Sequence, residues 1–356
     1  MRIKLRGWYH LTMVLGACCA VSAVFSPCTA HTRYVIPDST GLATPIAAAL
    51  DSASSGDTVL VAAGTYLETD DPATWIAPGP GVALVSEDGP DLTVIEFCNA
   101  TTGIKLSSCE GVVVSGFTVR FAEHPGCGYP GGWISGIRCY QCTDVLVENC
   151  VIEEVGIGIW VSDRSQEWWK PEFHDNVIRN CGTGIWCMNN RDPGRPHLLG
   201  NSITYCEIGV DVANSSPNIE ACEIAYCSEY GLLYVGHCGG GVWSSVIAHN
   251  ADGAIIYSDP PLAVPSFNGS WLPEEANDIY DNSGWDIWYE HSTPDALVMA
   301  IYNYWGTECP DFTSRLHGRV LHSPWMDSTH TVVLNEDHCP QAVEPSTWGC
   351  IKAMFE

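Results

Sequence analysis

The chain has 356 residues and a formal net charge of −27, with 16% charged residues, 34 glycines and 18 cysteines. So acidic a surface is repelled by nucleic acid and by anionic membrane, which excludes both as expected partners. The glycine-rich, charge-poor composition points to a turn-rich β protein rather than a helical one.

Residues 1–30 read as an export leader. Arg2, Lys4 and Arg6 form a basic start, Leu11 to Phe25 is largely apolar, and Cys28-Thr29-Ala30 offers small residues for cleavage before His31. The alternative is lipoprotein processing at Leu15-Gly16-Ala17-Cys18, with Cys18 acylated. Either route leads out of the cytoplasm, to a secreted, periplasmic or cell-surface location. No later stretch of about 20 apolar residues suggests a transmembrane segment in the mature chain. Losing three basic residues with the leader takes the formal charge from −27 to −30. It also leaves 15 cysteines, an odd number that cannot all pair within one chain. The compartment nonetheless permits disulfides.

Residues 31–102 are expected to cap a solenoid and to form its first coils. Tyr34-Val-Ile-Pro37 reads as a short strand. Thr44 to Ala53 carries Ile46, Ala49, Leu50 and Ala53 at helical spacing, with Thr44 or Ser39 as candidate caps and Pro45 in the first turn. Thr58-Val-Leu-Val61 reads as a buried strand. A helix laid across the first coil would cover the apolar interior that an open solenoid exposes at its end.

From residue 103 onward the chain repeats. Gly103, Gly136, Gly158, Gly184, Gly209, Gly231 and Gly253 each open a mostly apolar run, at separations of 33, 22, 26, 25, 22 and 22 residues. A period near 22 fits one solenoid turn and is too short for a domain. The first and third residues after each glycine are apolar, as in Ile159 and Val161, and are expected to point inward. A second strand is centred on Ile152, Ile178, Ile203, Ile224 and Ile247. The glycines are expected where the backbone turns sharply and a Cβ would clash or strain φ. Two ladders support the register: Cys150, Asn176, Asn201, Cys222 and Ser245, then Val155, Cys181, Cys206, Cys227 and Asn250. Small polar groups stacked at a turn can hydrogen-bond along the axis. Axial disulfides and buried thiols both suit the stacked cysteines, and thiols are favoured for most of them. The exit is marked by Asn303-Tyr-Trp-Gly306 and Ser323-Pro-Trp325, placing the helix over 103–326 and a C-terminal tail over 327–356.

Gly56-Asp-Thr-Val-Leu-Val-Ala-Ala-Gly-Thr-Tyr66, the glycine-led coils and Asn303-Tyr-Trp-Gly306 together resemble secreted bacterial right-handed parallel β-helix repeat proteins of the pectin-lyase-like superfamily. The resemblance covers roughly residues 33–326 and implies an all-β, three-sheeted right-handed solenoid. The superfamily includes polysaccharide lyases, glycoside hydrolases, pectin esterases and a periplasmic copper-enzyme maturation factor, so it implies no single activity. The catalytic motifs of its pectin methylesterases, polygalacturonases and pectate lyases find no convincing counterpart. Four methionines after the leader are thin support for copper.

Candidate chemistry lies on the outward stripe two residues after each glycine: Lys105, Arg138, Trp160, Trp186, Asp211, Leu233 and Ile255. Lys105, Arg138, Trp160 and Trp186, with Trp168 and Trp169 from a neighbouring loop, are candidate sugar-binding residues, since indoles stack on pyranose faces. Packing of those tryptophans under a loop is the competing reading. Asp163, Asp192 and Asp211 are the candidate carboxylates for hydrolysis. Arg138, Arg164 or Arg191 would be the base in a lyase. No metal site is assigned: Cys139-x-x-Cys142 lacks a partner pair. Calcium is the one cofactor that clustered carboxylates would suit. The expected function is a monomeric exported scaffold without defined catalysis that binds an extracellular polysaccharide, a cell-surface glycan or another cell-surface partner. The alternatives are a polysaccharide-active enzyme, lyase before hydrolase, and a purely structural rod.

Overall fold

Three short strands separated by sharp corners make each turn of the chain. The computed structural model describes residues 30–69, 71–122, 127, 133–162, 170–189, 195–258, 264–268, 272, 275–291 and 296–339. One coil shows the pattern: Glu172–His174 lies in sheet 1, Val177–Arg179 in sheet 2 and Thr183–Met188 in sheet 3. Sheet 1 has ten strands, sheets 2 and 3 nine each, and within each sheet neighbouring strands come from neighbouring coils and run parallel. The parallel β-helix expected from the repeat is present.

The core is the column of side chains that these strands turn inward. Ile159, Val161, Ile185, Cys187, Val210 and Val212 are fully buried, as are Ile152, Ile178, Ile203, Ile224 and Ile247. Burying an aliphatic side chain of this size contributes roughly 1.5–3 kcal/mol. Each isoleucine rests on its equivalents in the coils before and after it, as in Ile178 between Ile152 and Ile203.

The coil glycines serve a different purpose from part of that expected. None of the seven has a positive φ. A Cβ on Gly158 would lie 2.5 Å from the Gly184 carbonyl oxygen and 2.6 Å from Ile178 Cγ2. Gly184 and Gly209 meet the same obstruction, their added Cβ coming within 2.5 Å of the next glycine's oxygen. Close approach between coils, rather than backbone strain, demands glycine here. The left-handed corners are instead taken by residues such as Asn149, Asp175, Asn180, Tyr205 and Tyr226.

Both polar ladders form. The Asn201 carboxamide oxygen accepts from the Asn176 backbone N–H at 3.1 Å and from its side-chain amide at 3.0 Å. The Asn176 oxygen takes the Cys150 N–H at 3.0 Å, and Ser245, Asn277 and Asn303 continue the chain of bonds. In the second ladder Asn250 accepts from Cys227 and donates to Asn282. Buried corner N–H groups, which no strand partner reaches, are thereby satisfied. The ladder cysteines are buried thiols. Disulfides join Cys98 to Cys127 and Cys309 to Cys339.

The capping helix spans Thr44–Ser52 and buries Ile46, Ala47 and Leu50 against the first coils. Ala43 holds the N-cap position without a side-chain bond, so neither Thr44 nor Ser39 caps it; Pro45 in the first turn lacks the N–H that a cap would serve. At the other end, Trp325–Met326 pairs antiparallel with Val333–Leu334.

Substituting Gly184 by Ala is expected to cost about 1–3 kcal/mol of stability, the usual penalty for overpacking. Gly79→Ala, where nothing lies within 4 Å of the added carbon, is the control and should be near neutral. Denaturant midpoints measure both, and equal midpoints would remove the close-approach explanation.

Candidate functional site

Strand register places the outward stripe as expected. Lys105 pairs with Arg138, Arg138 with Trp160, Trp160 with Trp186, and Trp186 with Asp211. Leu233, Ile255 and Trp288 follow, although Ile255 is itself buried. These residues alternate with the buried ones because strand side chains point to opposite faces in turn. Asp163, Arg164, Trp168, Trp169, Arg191 and Asp192 lie outside the described residues, as does the leader up to residue 29.

The stripe is not chemically uniform. Lys105 Nζ is 2.6 Å from Oε1 of the fully buried Glu68 and lies over the Trp75 ring, so its charge is used within the protein. The Arg138 guanidinium lies 4.3 Å from the centroid of the Trp160 ring. Trp160 and Trp186 stack at 5.2 Å with 23° between planes. Trp133, on the segment leading into the strand Ser135–Tyr140, stands edge-on to Trp186 at 4.3 Å and is 61% exposed. Three indoles therefore meet at one place.

Beside them is an open groove of about 810 Å³. It is lined by Trp133, Trp186 and Asp211 and by Glu154, Asn180 and Glu207 from the corner between sheets 2 and 3. Gly156 and Gly182 also line it, and the lack of side chains there leaves the space open. The volume falls within the usual range for small-molecule and saccharide sites. Burial disfavours the charged form of Asp211 and raises its carboxyl from the ordinary 3.8 to about 6.

A second aromatic row runs along the same corner. Tyr205 and Tyr226 stack at 5.1 Å, and Tyr226 and His249 at 5.0 Å. Trp133, Glu154, Asn180, Glu207 and these tyrosines were not singled out from the sequence. The tyrosines were visible in principle, since Ile203-Thr-Tyr-Cys206, Ile224-Ala-Tyr-Cys227 and Ile247-Ala-His-Asn250 repeat one another. Trp133 also stands three residues before a coil glycine, where Val155 and Cys181 are buried.

Residues 50–259 match the protein family described as NosD, periplasmic copper-binding protein. The chain belongs to this family. No curated protein matches it. Solved structures similar to this NosD-family chain include pectate lyase Pel9A, with TM-score 0.53 and 13% identity over 85% of this chain and 79% of that one. An alginate lyase from Paenibacillus sp. str. FPU-7 gives 0.51 and 15%, covering 82% and 99%. The A-module of the mannuronan C-5 epimerase AlgE6 from Azotobacter vinelandii gives 0.50 and 13%, covering 80% and 97%. At these identities the likeness is one of fold, that of the pectin-lyase-like superfamily.

Copper calls for converging imidazole, thiolate or thioether donors. Among the described residues no three His, Cys, Asp or Glu side chains gather where they could hold a metal ion. Cys109 and Cys142 bring two buried sulfurs within 2.7 Å and Cys139 hydrogen-bonds Cys142, but among the described residues these thiols are not disposed to hold a metal ion. The described donor set does not fit a copper centre. Nor is any described helix long and apolar enough to cross a membrane.

The raised carboxyl of Asp211 gives a pH dependence with a definite sign. Its folded-state value lies above the unfolded one, so its contribution is favourable below about 3.8 and is lost as pH rises through about 6. Asp211→Asn should melt higher than the natural chain at about pH 7.5, with the gain vanishing by about pH 4. Identical gains at both pH values would show that the carboxyl is not desolvated.

Proposed function

We propose that this NosD-family chain is an exported β-helix that binds carbohydrate in the groove between Trp133–Trp186 and the Glu154–Asn180–Glu207 corner. The observation that carries the reading is the exposed Trp133 set against Trp186 at the edge of that groove. Indole faces and edges take the apolar faces of pyranoses, while carboxylates and carboxamides bond their hydroxyls. Leu233 and Ile255 occupy the stripe in the two coils after Asp211, and an indole, Trp288, returns in the coil after them. The solved relatives are named for pectate, alginate and mannuronan, all saccharides, which agrees with a glycan ligand. Export through the leader at residues 1–30, with cleavage after Ala30 or acylation of Cys18, is part of the same reading and suits a periplasmic family.

One observation favours a catalytic reading. Burial raises the Asp211 carboxyl to about 6 in a groove that Glu207 also lines, and a carboxylic acid with a carboxylate is the pairing that glycoside hydrolysis uses. New reducing ends released from a polysaccharide panel, and abolished by Asp211→Asn, would establish it. Unsaturated ends would indicate a lyase instead.

For the binding reading, Trp133→Ala with Trp186→Ala is expected to weaken glycan retention at least about tenfold, or 1.4 kcal/mol. Affinity electrophoresis on polysaccharide gels measures this, with the melting temperature as the folding control. Unchanged retention would reduce the indoles to packing.

A further inference from the structure

The groove continues past the tryptophans. Its smaller neighbour, about 400 Å³, is lined by Tyr205 and Tyr226 and shares Asn180, Gly182 and Glu207 with it. Tyr205 begins the stacked row, because the preceding coil places Asn180 at the equivalent corner. Among the described residues no ring covers the other face of Tyr205, and the residue is 60% exposed. It also sits at φ 57°, a left-handed conformation that Asn or Gly adopts at less cost than a bulky aromatic. An exposed ring held against its backbone preference, with one face bare beside a pocket, is a second place for a sugar ring to stack.

The charge of this continuous cleft selects among sugars. Glu154, Glu207 and, above about pH 6, Asp211 give it negative charge, and among the described residues no lysine or arginine lines it. Three of the described arginines are engaged with other side chains. Arg179 is 2.7 Å from Glu153, Arg120 is 2.7 Å from Glu96, and Arg138 lies over Trp160. A uronate chain would bring further carboxylates into a cleft with no counter-charge. An ammonium group would gain ion pairing from the carboxylates and attraction to the indole faces.

We infer that the ligand is a chain of amino sugars bearing free ammonium groups, one ring seated against Trp133 and Trp186, a neighbouring ring on the open face of Tyr205, and Glu207 between them. This rests on the carbohydrate-binding reading above and adds the class of sugar and a second subsite.

Calorimetry and tryptophan fluorescence at mildly acidic pH test it, using glucosamine, N-acetylglucosamine and galacturonate oligomers of equal length with the full exported chain. The glucosamine oligomer is expected to bind at least about tenfold more tightly than its acetylated counterpart and to weaken as salt is added. Glu207→Gln should shrink that difference, weakening the glucosamine oligomer more than the acetylated one. Tyr205→Ala should weaken dimers and tetramers severalfold but spare the monosaccharide. Both side chains are exposed, and an unchanged melting temperature confirms folding. Equal or tighter binding of the acetylated or galacturonate oligomer overturns the amino-sugar assignment while leaving carbohydrate binding intact. Binding of none of the three, together with no retention on a wider glycan panel, overturns both.

Discussion

Each coil of this protein must lie directly on the next, and the point of closest approach is where glycine faces glycine. At Gly158, Gly184 and Gly209 a single added carbon would collide with both a carbonyl oxygen of the following coil and an isoleucine methyl group of sheet 2. Once that contact is allowed, strands pair in parallel and equivalent residues stack at about 4.8 Å intervals. The isoleucine column, the asparagine ladders and the outward stripe all inherit their alignment from it. Positions some 25 residues apart in sequence become neighbours in space.

The same stacking gives a cheap way of building a site. A change at one position of the repeat alters one rung of a stripe without disturbing the coils around it. On the outer face of sheet 3 the rungs pass from a cation bound to Glu68, through an arginine over an indole, to paired indoles, a desolvated aspartate, two aliphatics and then Trp288 and His317. At the neighbouring corner they pass from Glu154 and Asn180 to the tyrosine row. The groove lies where these two series change character side by side.

Charge follows a related economy. With 15 lysines and arginines against 42 acidic residues, cations are scarce, and several are committed to holding coil to coil. Arg120 reaches Glu96 and Glu153, and Arg179 reaches Glu153, which forms a ladder of ion pairs along the outside of sheet 2. The groove is left with carboxylates and aromatic rings. Its recognition chemistry is therefore set partly by what the rest of the surface consumes.

Much of the architecture was legible because a solenoid is almost one-dimensional: the period, the inward alternation and both ladders follow from residue order alone. The reason for the coil glycines was only half legible, since an ordinary φ and a blocked Cβ cannot be separated without coordinates. Sequence alone determined the register, and with it the neighbours of Trp160, Trp186 and Asp211, because parallel stacking converts spacing into adjacency. Tertiary structure decided what those neighbours amount to. It engaged Lys105 with Glu68, brought Trp133 in from another segment, and opened a cleft toward Glu207 and Tyr205. Those outcomes depend on side-chain direction and on the turn between sheets, which no repeat period encodes.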